Sequence, residues 1–305
     1  MDDTTFIEYL KLKKTLDDRS LNRNVWETLV SAMPKAERER PWRVLEIGAG
    51  IGTMIQRLIE WDFLHFASYL ALDASSAYLA EARHRLSDWA IQNGFDFHTD
   101  ESGLLINDAF HEIKIQFVAQ EVDEWLAAIN PFPKTDLVIA HAFLDLINLE
   151  TTLPLILSCL RKGGLFYFTI NFDGLTVIEP PVNEPLDELI LSLYHRTMEE
   201  RLVEGRPTAG AYCGRRLLCA LQKAGSSLLR AGASDWVIHP VEGNYLPGED
   251  RFLRFLLQMV EESLRERSEI EPDQLLEWLK HRLQQIEQGK LSLIVHQLDF
   301  VGRRI

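Results

Sequence analysis

Apolar residues recur at helical spacing through residues 4–33: Phe6, Ile7, Leu10, Leu12 and Leu16, then Leu21, Val25, Trp26 and Leu29. The polar run Asp17-Asp18-Arg19 interrupts them, so the stretch predicts two helices, closed by Pro34. A charged linker, 35–41, follows. From residue 43 the period changes. A short β-branched run, 43–48, ends in glycine and predicts a strand, and 52–61 returns to helical spacing. The alternation continues with strand 66–73 and helix 74–92, capped by Ser75 or Ser76. Strand 113–122, helix 124–129 and a strand from 135 that drifts into helix by 147 come next. Helix 153–164 stops at basic residues and two glycines, and strand 165–172 follows. Strand–helix alternation of this kind predicts an α/β, Rossmann-like doubly wound sheet, because parallel strands need right-handed crossovers.

Beyond residue 173 the pattern loosens. It predicts helices at 186–202 and 215–225, a strand at 234–240, amphipathic helices at 250–267 and 272–289, and a long final strand at 291–303. Segments 174–212 and 250–289 are too long for plain loops. The expected architecture is a mostly parallel sheet with an antiparallel last strand, plus helical cap insertions. Its expected parts are an N-terminal helical segment (1–42), a core (43–173), and cap insertions with the last helix and strands completing the sheet (174–305). Phe252, Phe255, Leu256 and Met259, and Leu275, Leu279, Leu283 and Ile286, read as helix-packing stripes.

Composition narrows the partners. The 305 residues carry a formal net charge of −14, which argues against a phosphate-backbone footprint and favours a small neutral or cationic partner. The cysteines, Cys159, Cys213 and Cys219, are odd in number and lack CxxC spacing. No disulfide framework and no metal site is expected, and a reducing cytoplasm is the simplest compartment. The acidic start does not read as a signal peptide. No apolar run approaches the ~20 residues that span a bilayer. The chain is therefore expected to meet a small-molecule substrate, with no nucleic acid and no membrane.

The stretch VLEIGAGIGT, 44–53, holds the chemistry. Gly48, Gly50 and Gly52 follow a strand, where open α/β sheets bind ligands and the next helix offers free N–H groups. The spacing is GxGxG, with Thr53 where a dinucleotide fingerprint has its third glycine. Glu46 precedes the turn, and Asp73 closes the second strand at a distance suited to a ribose.

These residues resemble the class I, Rossmann-like S-adenosylmethionine-dependent methyltransferases. The likeness rests on Glu46–Gly52, Asp73, Glu121 after the third strand, Asp136–His141 on the fourth, and Arg161–Gly164 before the fifth. It covers 43–172 in order and spacing. It implies a methyltransferase using S-adenosyl-L-methionine, yielding S-adenosyl-L-homocysteine and acting on a small molecule. Gly48, Ala49, Gly50 and Gly52 would cradle the methionine part. Glu46 would steady the loop or meet the cofactor amine. Asp73 would accept from both ribose hydroxyls. Glu121, or Asp123 nearby, would sit by the adenine amine, with Leu72, Ala74 and Val122 around the ring. The N-terminal segment would fold over the cofactor, bringing Arg19 or Arg23 to its carboxylate. Ala140 and His141 end the strand that faces the methyl group, where amino-group methylators often carry an Asn/Asp-Pro-Pro-aromatic stretch that is absent here.

His141 has the acidity range of a general base, and Asp145 would orient the acceptor. His296, Asp299 and His239 are lesser candidates for the pocket. Phe172, Tyr194, Tyr212, Trp236 and Tyr245 are candidate lid residues. Three other readings remain open: a non-catalytic S-adenosylmethionine-binding protein, an NAD(P)-dependent oxidoreductase, and a protein or RNA methyltransferase.

Overall fold

The computed structural model describes residues 2–101, 103–128 and 134–305. Two helices lead in, α1 (Asp3–Ser20) and α2 (Arg23–Ala32). Asp2 caps the first by accepting from Thr5 N, and Asn22 caps the second by accepting from Val25 N. The break thus falls just after the polar run that announced it. The core follows as β1 (Trp42–Ile47), α3 (Thr53–Glu60), β2 (Phe66–Asp73), α4 (Ser76–Gln92), β3 (Asp96–Asp100), β4 (Gly103–Asn107), β5 (Glu112–Ala119), α5 (Val122–Ala128), β6 (Thr135–His141), α6 (Thr152–Ser158) and β7 (Leu160–Glu179). The remainder is α7 (Glu184–Glu199), β8 (Leu202–Val203), β9 (Arg206–Pro207), α8 (Cys213–Lys223), β10 (Ser226–Ala233), β11 (Trp236–Ile238), α9 (Glu249–Leu264), α10 (Pro272–Glu287) and β12 (Ser292–Arg304).

Among the described residues one ten-stranded sheet runs in the order β10-β12-β7-β6-β1-β2-β5-β4-β3, with β11 also paired to β12. Strands β7, β6, β1, β2 and β5 are mutually parallel. Strands β12, β10 and β11 close one side antiparallel, and the β3–β4 hairpin closes the other. This is the expected Rossmann-like sheet with its antiparallel last strand. The chain reverses direction between β1 and β6, which opens a crevice at their carboxyl ends.

Successive residues of one strand enter opposite cores, as the period of two requires. Val44 and Ile139 pack with Leu58, Tyr69 and Val301, whereas Leu45 and Val138 pack with Leu153, Phe166 and Phe300. A third cluster unites Leu16 of α1 with Ile190, Trp236, Phe252, Val260 and Trp278 of the cap. Within the predicted stripes Phe252, Leu256, Leu275 and Ile286 are buried.

Four expectations change. Helix 153–164 ends at Ser158, and the basic pair and double glycine belong to the start of β7, where Arg161 Nε donates to Asp136 Oδ1 (2.6 Å). Strand β7 runs through the expected boundary at 173 as far as Glu179. The hairpin β3–β4 went unanticipated because β3 is exposed throughout and carries no apolar alternation. Strand β10 also escaped notice, since its apolar residues are few and it lies on the sheet's edge. Residue 129, the expected end of a helix from 124, lies outside the described residues.

Candidate active site

The turn after β1 holds Gly48 at φ +69° and Gly50 at φ +51°, a region L side chains rarely adopt. A Cβ on Gly48 would stand 2.3 Å from the Phe143 ring, so the turn also presses directly against the segment after β6. A Cβ on Gly50 would meet only Leu10, at 3.7 Å. Gly52 faces α4 instead: a Cβ there would crowd Leu86 and Ala82 at 3.1 and 3.2 Å.

Asp73, at the end of β2, is drawn to the same turn. Its Oδ2 accepts from Gly50 N (2.8 Å) and its Oδ1 from Ser75 N (2.9 Å). Each oxygen keeps acceptor capacity for a ligand. Burial raises the Asp73 carboxyl above its ordinary value, opposed by those two N–H groups. Glu46 lies beneath, 1% exposed, and accepts from the Tyr69 hydroxyl (2.8 Å). Burial pushes its carboxyl up to about 8 against the pull of Tyr69 and Arg57, so it is mostly protonated at neutral pH.

A cavity of about 660 Å³ opens from this turn, within the size range of ligand sites. Helix α1 lies across it through Tyr9, Lys13 and Asp17. Asp17 is a buried hub. Its Oδ2 accepts from Lys13 Nζ (2.7 Å) and from His141 Nε2 (2.9 Å), and its Oδ1 from Trp236 Nε1 (2.9 Å). Burial alone would raise this carboxyl, but Lys13, His141 and Arg57 together hold it well below the usual carboxylate range. An acceptor-only Asp17 assigns the proton to His141 Nε2, so Nδ1 accepts from Thr169 Oγ1 (2.8 Å). Burial, then the Lys13 charge, push His141 down to about 4. Both its nitrogens are engaged, Nε2 by Asp17 and Nδ1 by Thr169. Asp145 lines the cavity beside Arg201 (3.4 Å), its carboxyl raised by burial.

Of the residues expected at the site, Glu46, Gly48, Ala49, Gly50, Asp73, Ala74, Glu121, Val122, His141 and Asp145 all line this cavity, and so does Asp123. Gly52, Leu72 and Ala140 are not among its walls. Leu72 and Ala140 are closed inside the sheet core. Arg19 and Arg23 are not brought there either. Arg19 binds Glu249 and the Val237 carbonyl, and Arg23 is exposed beside Glu27. Both sit near the α1–α2 break, on its outer side. Lys13, earlier on α1, takes the inward place. With Asp17 it occupies positions of the apolar stripe through Phe6, Tyr9 and Leu16, and that misplaced charge was the available signal. Of the lid candidates, Phe172, Tyr194 and Trp236 line the cavity, while Tyr212 and Tyr245 do not. His296 pairs with Asp235, Asp299 accepts from Asn22 N and Ile170 N, and His239 is exposed. Elsewhere, Asp62, His65 and His111 bring potential metal-ligand atoms within 4.8 Å of one another, far in the fold from the glycine turn.

No family model matches the chain, and no curated protein matches it. Solved structures resemble it. A cyclopropane synthase from Mycobacterium tuberculosis is 11% identical, with TM-score 0.44, over 92% of this chain and 83% of that one. A phosphoethanolamine N-methyltransferase of Haemonchus contortus, bound to phosphomonomethylethanolamine and S-adenosylhomocysteine, is 15% identical, with TM-score 0.43, over 92% of this chain. The match spans about half of that protein, 52%. A geranyl diphosphate C-methyltransferase from Streptomyces coelicolor is 11% identical, with TM-score 0.42, over 92% and 79%. Likeness at this level says nothing about chemistry.

Proposed function

We propose that the chain is an S-adenosylmethionine-dependent methyltransferase with a small-molecule acceptor. The observation that carries this reading is Asp73, held by Gly50 N and Ser75 N at the mouth of a cavity that continues well past the glycine turn. The residues fit the cofactor. Asp73 offers two acceptor oxygens to a ribose diol. Lys13, buried and with one carboxylate partner, has donors to spare for the methionine carboxylate. Glu121 and Val122 flank the adenine position, and the protonated Glu46 adds no charge beneath the loop.

When bound, the cofactor supplies an electrophilic methyl group on a sulfonium. Helix α1, tied down through Asp17 and His141, lies over part of the site. The walls of the cavity bring the acceptor into line, and positioning of this kind is itself a large rate factor. His141 has no free nitrogen with which to take a proton, and Asp145, paired with Arg201, would orient the acceptor through that pair rather than as a lone carboxylate. The acidic chain and a cavity walled by α1 and the cap favour a small molecule over nucleic acid or protein. Among the described residues no helix is long and apolar enough to cross a membrane. The three cysteines are free, Cys219 exposed, which supports a reducing compartment such as the cytoplasm.

The test is calorimetric binding of S-adenosylhomocysteine to the protein and to Asp73→Ala. The reading predicts binding that the substitution weakens by about 1–3 kcal/mol. No binding to the unchanged protein overturns it. Release of S-adenosylhomocysteine with some small acceptor separates an enzyme from a mere binder.

A further inference from the structure

Resting on that methyltransferase reading, we propose that the part of the cavity beyond the glycine turn takes an uncharged, mainly apolar acceptor that forms one hydrogen bond with the Gln297 side-chain amide. The walls there come from the cap and from the strand extension. Strand β7 continues from Thr169, its last pairing with β6, out to Glu179, and β12 follows it back. Phe172 and Ile178 of β7, Tyr194 of α7, Trp236 of β11, Met259 of α9 and Val295 of β12 face the space between.

The charges at that end of the cavity are already matched. Its two cationic side chains other than histidine are Lys13, 2.7 Å from Asp17, and Arg201, 3.4 Å from Asp145. Lys13 is further committed to the cofactor's carboxylate. Asp17 is saturated by Lys13, His141 and Trp236. Among the described residues there, no cation is left over for a phosphate, and the carboxylates without a cationic partner, Asp73, Glu121 and Asp123, belong to the glycine-turn end assigned to the cofactor; burying an unmatched charge among the remaining walls would be strongly unfavourable.

Gln297 is the polar exception. It lines the cavity, is 2% exposed, and its Oε1 is buried with no partner. Its backbone is fixed on both sides: its N donates to Asp235 Oδ1 (3.2 Å) and its carbonyl accepts from Ser234 N (2.8 Å). The β7–β12 register shifts here, Val295 opposing Thr176 but Gln297 opposing Phe172, so β7 bulges between them. Such irregularities re-aim side chains next to sites. A buried side-chain amide without a partner is unusual, and one beside a cavity can turn to pair with a ligand hydroxyl. A site built this way discriminates against analogues that lack the hydrogen-bonding group.

Three matched probes test this against protein saturated with S-adenosylhomocysteine: 1-naphthol, naphthalene and 1-naphthyl phosphate, with affinities read by fluorescence or calorimetry. The expected order is naphthol tightest, with naphthalene and the phosphate each weaker by about tenfold or more. In Gln297→Leu, naphthol should fall to the level of naphthalene while S-adenosylhomocysteine affinity stays unchanged. Equal or tighter binding of the phosphate overturns the proposal. So does a naphthol preference that survives Gln297→Leu, or no probe binding while S-adenosylhomocysteine binds. Failure of S-adenosylhomocysteine itself counts against the methyltransferase reading alone, because the probes can then be ranked without it.

Discussion

His141 Nε2 donates to Asp17 Oδ2 at 2.9 Å, joining residues 124 apart in sequence. This bond ties the first helix to the carboxyl end of β6 and so makes α1 a wall of the cavity. The same carboxylate holds the Lys13 ammonium, which lies 5.3 Å over the Trp236 ring. Asp17→Asn keeps the shape but strips the Lys13 charge of its counterion. Removing one partner of a buried pair costs about 3–5 kcal/mol. Urea unfolding should show that loss. The double substitution Lys13→Met with Asp17→Asn should recover much of it, because the unpaired ammonium is gone while the amide oxygen still accepts from Trp236 or His141. A single substitution without effect would show that the pair does not hold α1.

Gly48 faces a steric test. Gly48→Ala places a methyl group 2.3 Å from the Phe143 ring at a φ of +69°. The left-handed conformation alone costs about 1–2 kcal/mol, and the clash adds to it. Phe143→Ala in the same chain should remove the clash and leave the backbone part. The double variant should therefore fall short of the summed losses of the two single ones, measured by urea midpoint. Strict additivity would mean that the two residues do not press on each other.

Much of this was legible in the sequence, for a physical reason. The parallel strands are buried on both faces, so runs such as 43–48 and 135–141 stand out as apolar. The glycines and Asp73 were legible because their spacing is dictated by one turn. What escaped notice was set by partners distant in sequence. Strands β3 and β10 are edge strands with polar faces, so nothing in their own pattern marks them. Arg19 and Arg23 look equally able to reach an anion until the α1–α2 break turns them outward, and Lys13 is identified only when the whole stripe on α1 is folded against Trp236. The partners of His141 were hidden for the same reason: Asp17 and Thr169, which hold its two ring nitrogens, come from distant segments. Gln297 had no local signal at all.

The pH dependence of stability should be dominated by opposed groups. Glu46 has its carboxyl raised from an ordinary 4.5 to about 8, so the folded state keeps a proton that the unfolded state has lost. Its contribution is full below 4.5 and declines as pH rises to 8. His141 is pushed down from 6.5 to about 4, so its contribution is full above 6.5 and is lost as pH falls toward 4. Between 4.5 and 6.5 the two slopes oppose each other. Above 6.5 only the Glu46 decline remains. Glu46→Gln, neutral at every pH and able to bond Tyr69, should track the parent protein near pH 5 and exceed it near pH 8.5. The gap should be on the order of a few kcal/mol. Parallel unfolding curves across that range would show that Glu46 is ionised in the fold.

The cap has its own buried node, and it allows the cap to be loosened without touching the glycine turn. Asp187 Oδ1 accepts from Trp278 Nε1 (2.6 Å) and Arg282 Nη2 (2.5 Å), and its Oδ2 accepts from Val182 N (2.9 Å) and Asn183 N (3.1 Å). It therefore fixes the entry to α7 and docks α10 on it at once. Asp187→Ala leaves the fully buried Arg282 charge without its carboxylate and two backbone donors unpaired, a loss of about 3–5 kcal/mol. The damaged contacts belong to the apolar cluster of the cap, whereas Asp73 and the glycine turn rest on the sheet cores. Amide exchange should therefore quicken first in α7 and α10, while S-adenosylhomocysteine binding falls by less than about tenfold. Binding of an apolar acceptor should suffer more, since α7 supplies Tyr194 to its chamber. If exchange instead rose uniformly over the sheet, cap and core would form one cooperative unit, and the cap side of the cavity could not be remodelled independently of the glycine turn.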